Sequence, residues 1–163
     1  MASDYREIAG FYDHEYPDVD YLGPDVACFL DHVPGERVLE LGCGTGRAAV
    51  AMAAAGRQVT GLDVDQNVLD IANAKGGDAR YVRADFSEPD WQSVVDGPFD
   101  AVCCFFNTFL ALADAEAQEH CLRGCHELLA PDGLLWLDVF HPNLDLITNA
   151  VGGATELEPV LFS

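Results

Sequence analysis

A chain of 163 residues, half of them hydrophobic and 22% charged, is one globular domain's worth of sequence, long enough to bury a sizeable core. Twenty-eight acids against eight bases give a net charge of −20, and a field of that sign repels phosphate backbones and anionic headgroups, which argues against nucleic-acid or membrane-surface partners. The start of the chain has no basic stretch leading into an apolar core, and the longest small-apolar run, Ala48 to Ala55, is far short of the ~20 residues of a membrane span, so the six cysteines are expected as reduced thiols in the cytoplasm.

In chain order, residues 3–16 read as a helix carrying Tyr5, Phe11, Tyr12 and Tyr16 and stopped by Pro17. Residues 24–32 read as a second, with Val26, Phe29, Leu30 and Val33 on its apolar side, broken by Pro34-Gly35. Strands and helices then alternate: strand 37–42, helix 46–55, strand 58–63, helix 66–75, strand 79–84, a short helical turn near 88–95, strand 99–105, helix 114–130 and strand 133–140. Gly56 and Pro131-Asp132-Gly133 are the helix stops, and Asp65 and Asp114 are placed to cap the helices that follow them. Within 114–130, Cys121, Leu122, Cys125, Leu128 and Leu129 recur at helical spacing and should face the sheet. Cys121, Cys125 and His126 have no second ligand pair at zinc spacing, so packing rather than metal binding is expected of them. The alternation predicts an α/β domain with a parallel sheet in the order 3-2-1-4-5, right-handed crossovers and helices on both faces. No linker or repeat divides the chain, so residues 1–163 are expected to form a single domain.

The chemistry concentrates after the first strand. Val38 to Leu41 is apolar but for Glu40, and Gly42, Gly44 and Gly46 follow before an alanine-rich helix. A strand, a glycine-rich turn and a helix N-terminus let the backbone approach a ligand closely. Asp63 closes the second strand, where an acidic ribose ligand sits in nucleoside-binding βαβ units. The spacing is G-x-G-x-G, and Arg47 stands where the third glycine of the dinucleotide fingerprint would fall. H-E-x-x-H, G-x-S-x-G and P-loop patterns are absent.

Glu40-Leu-Gly-Cys-Gly-Thr-Gly46 resembles the first motif of class I methyltransferases that use S-adenosylmethionine (SAM). Val59-Thr-Gly-Leu-Asp-Val64, Tyr81-Val-Arg-Ala-Asp85 and Phe99-Asp-Ala-Val102 are similar to the family's next motifs, in order, and the likeness covers residues 36–140. It implies a Rossmann-like three-layer sandwich that binds SAM and methylates an N, O or C nucleophile of a small-molecule acceptor. The implied cofactor residues are Glu40, Gly42, Cys43, Gly44 and Gly46 in the loop and Asp63 at the ribose. Leu62 or Val64, with Asp85 and Phe86, is implied around the adenine, and Phe106 and Asn107 near the methyl donor. Tyr12 or Tyr16, within a helical lid over residues 1–34, would close on the SAM carboxylate and methionine chain. His141, His14 and Tyr12 are the candidate bases, with no metal required. Each has a plainer alternative: Asp85 as a turn cap, Asn107 as a turn former, Tyr12 as packing and His141 as a solvent-facing turn residue. Residues 141–163 are too few for the antiparallel strands that complete the family's sheet, which leaves the fifth strand's edge open to pairing in a homodimer. A nicotinamide-dependent oxidoreductase, and a SAM-binding protein or fragment without methyl transfer, are the alternative functions.

Overall fold

The computed structural model describes residues 23–139. The expected first helix, with Tyr12, His14 and Tyr16, lies outside the described residues, as does His141 with the rest of the C-terminal segment.

Helix α1 (Pro24–His32) opens on a proline, whose fixed φ and missing N–H suit the first turn. Alternation then follows in β1 (Arg37–Leu41), α2 (Arg47–Ala54), β2 (Gln58–Asp63), α3 (Gln66–Ala74), β3 (Arg80–Arg83), β4 (Phe99–Cys104), α4 (Ala115–Leu128) and β5 (Leu129–Leu137). Short 3₁₀ turns occupy Trp91–Val94 and Thr108–Ala111. The five strands form one parallel sheet in the order β3-β2-β1-β4-β5, as the alternation predicts. Asp65 and Asp114 cap α3 and α4 by accepting from the N–H groups of Asn67 and Ala117.

Strand side chains alternate between two apolar layers. Val38, Val59, Ala101 and Cys103 pack with Val26 and Phe29 of α1 and Ala48 and Met52 of α2. Leu39, Leu41, Val102 and Cys104 pack on the other side with Cys121, Cys125 and Leu128 of α4 and with Trp91. Trp91 fits flat because α4 has Gly124 there: a Cβ at that position would lie 2.4 Å from the indole. Arg47 of α2 pairs with Asp25 of α1 at 2.5 Å, joining the two helices of the first layer.

The structure corrects two expectations in α4 and β5. The helix stops at Leu128 and the strand begins at once, since Leu129 already pairs with Phe99. Pro131-Asp132-Gly133 is therefore a bulge inside β5, with Asp132 at φ 66° and the register resuming at Ala101 opposite Leu134. Leu122, one residue past the buried stripe of α4, is exposed instead of facing the sheet. Among the described residues, β5 has a strand on one side only, and no helix is long and apolar enough to cross a membrane.

Candidate active site

The glycine bend leaves β1 at its carboxyl end. Gly42, Gly44 and Gly46 all have positive φ (67°, 53° and 83°), but each is glycine for a different reason. A Cβ on Gly42 would lie 2.3 Å from the Thr108 methyl, and one on Gly46 would lie 2.6 Å from Tyr81 Oη. A Cβ on Gly44 would meet nothing within 4 Å. The outer two admit neighbouring side chains; the middle one borders open space.

Asp63 fixes that middle residue. Its Oδ2 accepts the Gly44 N–H at 2.9 Å and its Oδ1 the Asp65 N–H at 3.0 Å. A carboxylate offers about four lone-pair positions, so each oxygen retains capacity for another donor. Burial raises the Asp63 pKa, against the pull of those two N–H groups. Cys43 ties the loop to β2 by donating its N–H to Leu62 O at 2.8 Å, and burial pushes its thiol far up, which removes it as a thiolate nucleophile.

Glu40 is 3% exposed, and its Oε2 has no hydrogen-bond partner among the described residues. Burial pushes its pKa up to about 8, opposed by the charge of Arg47 and reinforced by Asp63 and Asp25. A buried acceptor left unmatched is costly in an apolar layer, and a donor-bearing ligand would relieve it. Tyr81 Oη, beside Gly46, is orphaned in the same way, and burial lifts the phenol to about 12.

Beyond Asp63, the Val64 side chain is 48% exposed. Arg83 donates to Val64 O at 3.0 Å, which joins the ends of β2 and β3. Asp85 is exposed and its Oδ1 accepts the Ser87 N–H at 3.0 Å, the geometry of a turn cap. Phe86 points inward: it is 7% exposed and edge-on to Trp91 at 6.4 Å.

At the end of β4, Phe106 and Asn107 both adopt left-handed backbone, at φ 56° and 62°. Asp138, just past β5, holds them there. Its Oδ2 accepts the Phe106 N–H at 3.1 Å, its carbonyl accepts the Asn107 N–H at 3.1 Å, and its own N–H donates to Cys104 O at 2.9 Å. The bend leaves Phe106 53% exposed and brings Thr108 against Gly42. The sequence places Asp138 with His141 at the end of the fifth strand, toward the acceptor, but the hold of Asp138 on Phe106 and Asn107 and the contact of Thr108 with Gly42 follow from no local pattern, because those partners are distant in the chain.

The fold thus gathers Glu40, Gly42, Cys43, Gly44, Gly46 and Asp63 around one loop, with Phe106, Asn107 and Thr108 beside it. Val64 and Asp85 stand at the neighbouring strand ends. No group of metal-ligating side chains occurs among the described residues. A depression of about 440 Å³ opens at the opposite, amino ends of the strands, lined by Arg37, Arg57 and Arg80, and takes no part in this site.

A parallel sheet whose glycine bend, buried glutamate and strand-closing aspartate converge at the carboxyl ends defines a Rossmann-like nucleoside-binding domain. The model of the methyltransferase domain family matches residues 38–133, more than half of the chain. The chain belongs to that family, which sets aside the nicotinamide-dependent alternative. It is 36% identical over 121 residues to the cypemycin N-terminal methyltransferase of a Streptomyces species, covering 72% of this chain and 48% of that one. To the ubiquinone biosynthesis O-methyltransferase of Xanthomonas campestris pv. campestris it is 32% identical over 152 residues, covering 88% and 57%. Among solved structures, the SAM-bound amino pentose methyltransferase CalS10 of Micromonospora echinaspora superposes with a TM-score of 0.60 at 23% identity, covering 86% of this chain and 51% of that one, a likeness of fold. The chain spans about half the length of the curated relatives it matches.

Proposed function

We propose that this chain binds S-adenosylmethionine and supports transfer of its methyl group to a small-molecule acceptor. The observation that carries the reading is the pairing of Asp63 with Gly44: a carboxylate with spare lone pairs, fixed beside the one loop glycine that borders open space. Two ribose hydroxyls would use those lone pairs. The exposed Val64 side chain offers a face to the adenine, and Asp85 an acceptor for its amino group. The orphaned Glu40 Oε2 suits a donor from the methionine end. Phe86, assigned beside the adenine, is held edge-on against Trp91.

When bound, the cofactor supplies an electrophilic methyl on a sulfonium. The chain's part is to align an acceptor nucleophile and keep water out. Phe106 and Asn107 stand on the side from which an acceptor would approach, and Tyr12 is assigned to closing the site. His141, His14 and Tyr12 are the groups assigned to proton removal where the acceptor needs it.

Calorimetric titration with SAM and with its demethylated product, followed by methyl transfer to amine, hydroxyl and carboxyl acceptors, tests the assignment. Micromolar binding and turnover of one acceptor class are expected; a chain that binds neither nucleoside refutes it. Two finer assignments go with this reading. All six cysteines are free, which suits a reducing cytoplasm. A second copy pairing along β5 would cover the exposed Leu134 and Leu135, and sedimentation equilibrium would reveal that dimer.

A further inference from the structure

As a turn cap, Asp85 uses only one of its two carboxylate oxygens. Both local donors fall on Oδ1, which accepts the Ser87 N–H at 3.0 Å and the Ser87 hydroxyl at 2.5 Å. The second distance is that of a charge-assisted bond from hydroxyl to carboxylate. An oxygen with two lone pairs is filled by those two donors, whereas Oδ2 accepts from no group among the described residues. Asp85 is exposed, and the residue before it is tied to the neighbouring strand end: the Ala84 N–H donates to Asp63 O at 3.0 Å. Asp85 thus follows directly on the junction with the acid assigned to the ribose.

The turn is also held from outside itself. The Ser87 carbonyl accepts from Nδ1 of His120, on α4, at 2.9 Å. A carbonyl can only accept, so Nδ1 carries the proton. His120 is fixed in turn at its own carbonyl, which accepts Trp91 Nε1–H at 3.2 Å, and Trp91 is buried. Phe86, between the two turn residues, is edge-on to the same indole at 6.4 Å. The bonds between Asp85 and Ser87 would form in any orientation of the turn. The bond to His120, 33 residues on, fixes that turn relative to the sheet.

We propose that Ser87 and His120 are positioning residues for base recognition: Ser87 occupies one oxygen of Asp85 and so presents the other to a 6-amino purine, and His120 holds Ser87 in place. The inference rests on the SAM-binding reading and names what makes that base site select adenine. An exocyclic amino group donates to the free oxygen, whereas a 6-oxo purine turns an acceptor toward it and is rejected. A carboxylate free to swing could instead accept from the N1–H that the 6-oxo base carries, and would discriminate less.

The test is calorimetric titration of the 163-residue chain with the demethylated cofactor product and with its inosine counterpart, identical but for oxygen in place of the amino group at C6. The adenine form is expected to bind about tenfold or more tightly. Ser87→Ala should lower that ratio about threefold or more, and Ser87→Thr, which retains the hydroxyl, should restore it. His120→Ala should lower the ratio likewise, and His120→Asn, whose amide sets a donor near the place of Nδ1, should recover most of it. A merely structural role would weaken both ligands together. An unchanged ratio in Ser87→Ala or His120→Ala, or no recovery in Ser87→Thr, would therefore overturn the positioning role. Equal binding of the two ligands by the wild type would remove Asp85 from base recognition, and this inference with it, while the SAM-binding reading stands. A chain that binds neither ligand would overturn both.

Discussion

Replacing Glu40 by glutamine should change how stability depends on pH more than it changes stability itself. Glu40 is 3% exposed, its Oε2 is unpartnered among the described residues, and its pKa rises from 4.5 to about 8 on burial. Between those values the folded protein holds a proton that the unfolded chain has released, so this residue's contribution is greatest below pH 4.5 and declines as pH rises through about 8. At 1.36 kcal/mol per pH unit, the decline amounts to about 3 kcal/mol by pH 7 and about 1 kcal/mol more by pH 9. Glutamine has the same shape and does not titrate. Urea unfolding of both proteins at pH 5.5, 7 and 8.5 isolates the residue, since every other carboxylate is common to the two. The wild type should lose about 2–3 kcal/mol relative to Glu40→Gln over that range. Parallel stability curves would mean that Glu40 is ionised in the fold and that its buried oxygen finds a partner, and the reasoning would fail.

Asp63→Ala removes the acceptor of the Gly44 and Asp65 N–H groups, and should weaken SAM binding by about 1–3 kcal/mol in calorimetry. Gly44→Ala and Gly46→Ala form an informative pair. Each sets a side chain in left-handed backbone, at about 1–2 kcal/mol, but only the Gly46 variant also strikes Tyr81. Gly46→Ala should therefore be the less stable in urea, while Gly44→Ala should abolish SAM binding by filling the open space. Gly124→Ala tests packing against propensity: alanine favours the helix by about 1 kcal/mol. Its methyl would lie 2.4 Å from a buried indole, and overpacking of about 1–3 kcal/mol should prevail, lowering Tm. A raised Tm would show that Trp91 shifts freely.

Patterns in the chain reveal a partner when that partner is close in sequence or fixed by the fold's regular geometry. Asp65 and Asp114 were legible as caps because a short acceptor before an apolar-periodic run has its donors two or three residues ahead. The glycine bend and Asp63 were legible because β1 and β2 are successive parallel strands, whose ends the crossover brings side by side. The edge-on contact of Phe86 with Trp91 is made only once the Trp91 turn is placed, and no local pattern announces it. Pro131-Asp132-Gly133 was legible as a bend but not as a bulge, since its character depends on Leu129 having already paired with Phe99. The left-handed pair Phe106-Asn107 is the furthest from any local rule. Neither residue is glycine, and the groups that hold them belong to Asp138, 32 residues beyond Phe106. The loop side of the site arises within one βαβ unit, whereas the β4–β5 side forms only when two strands separated by a whole helix close together. A substitution in β5 that disturbs the sheet register should therefore reach the Phe106–Asn107 bend first and leave the Asp63–Gly44 contact intact.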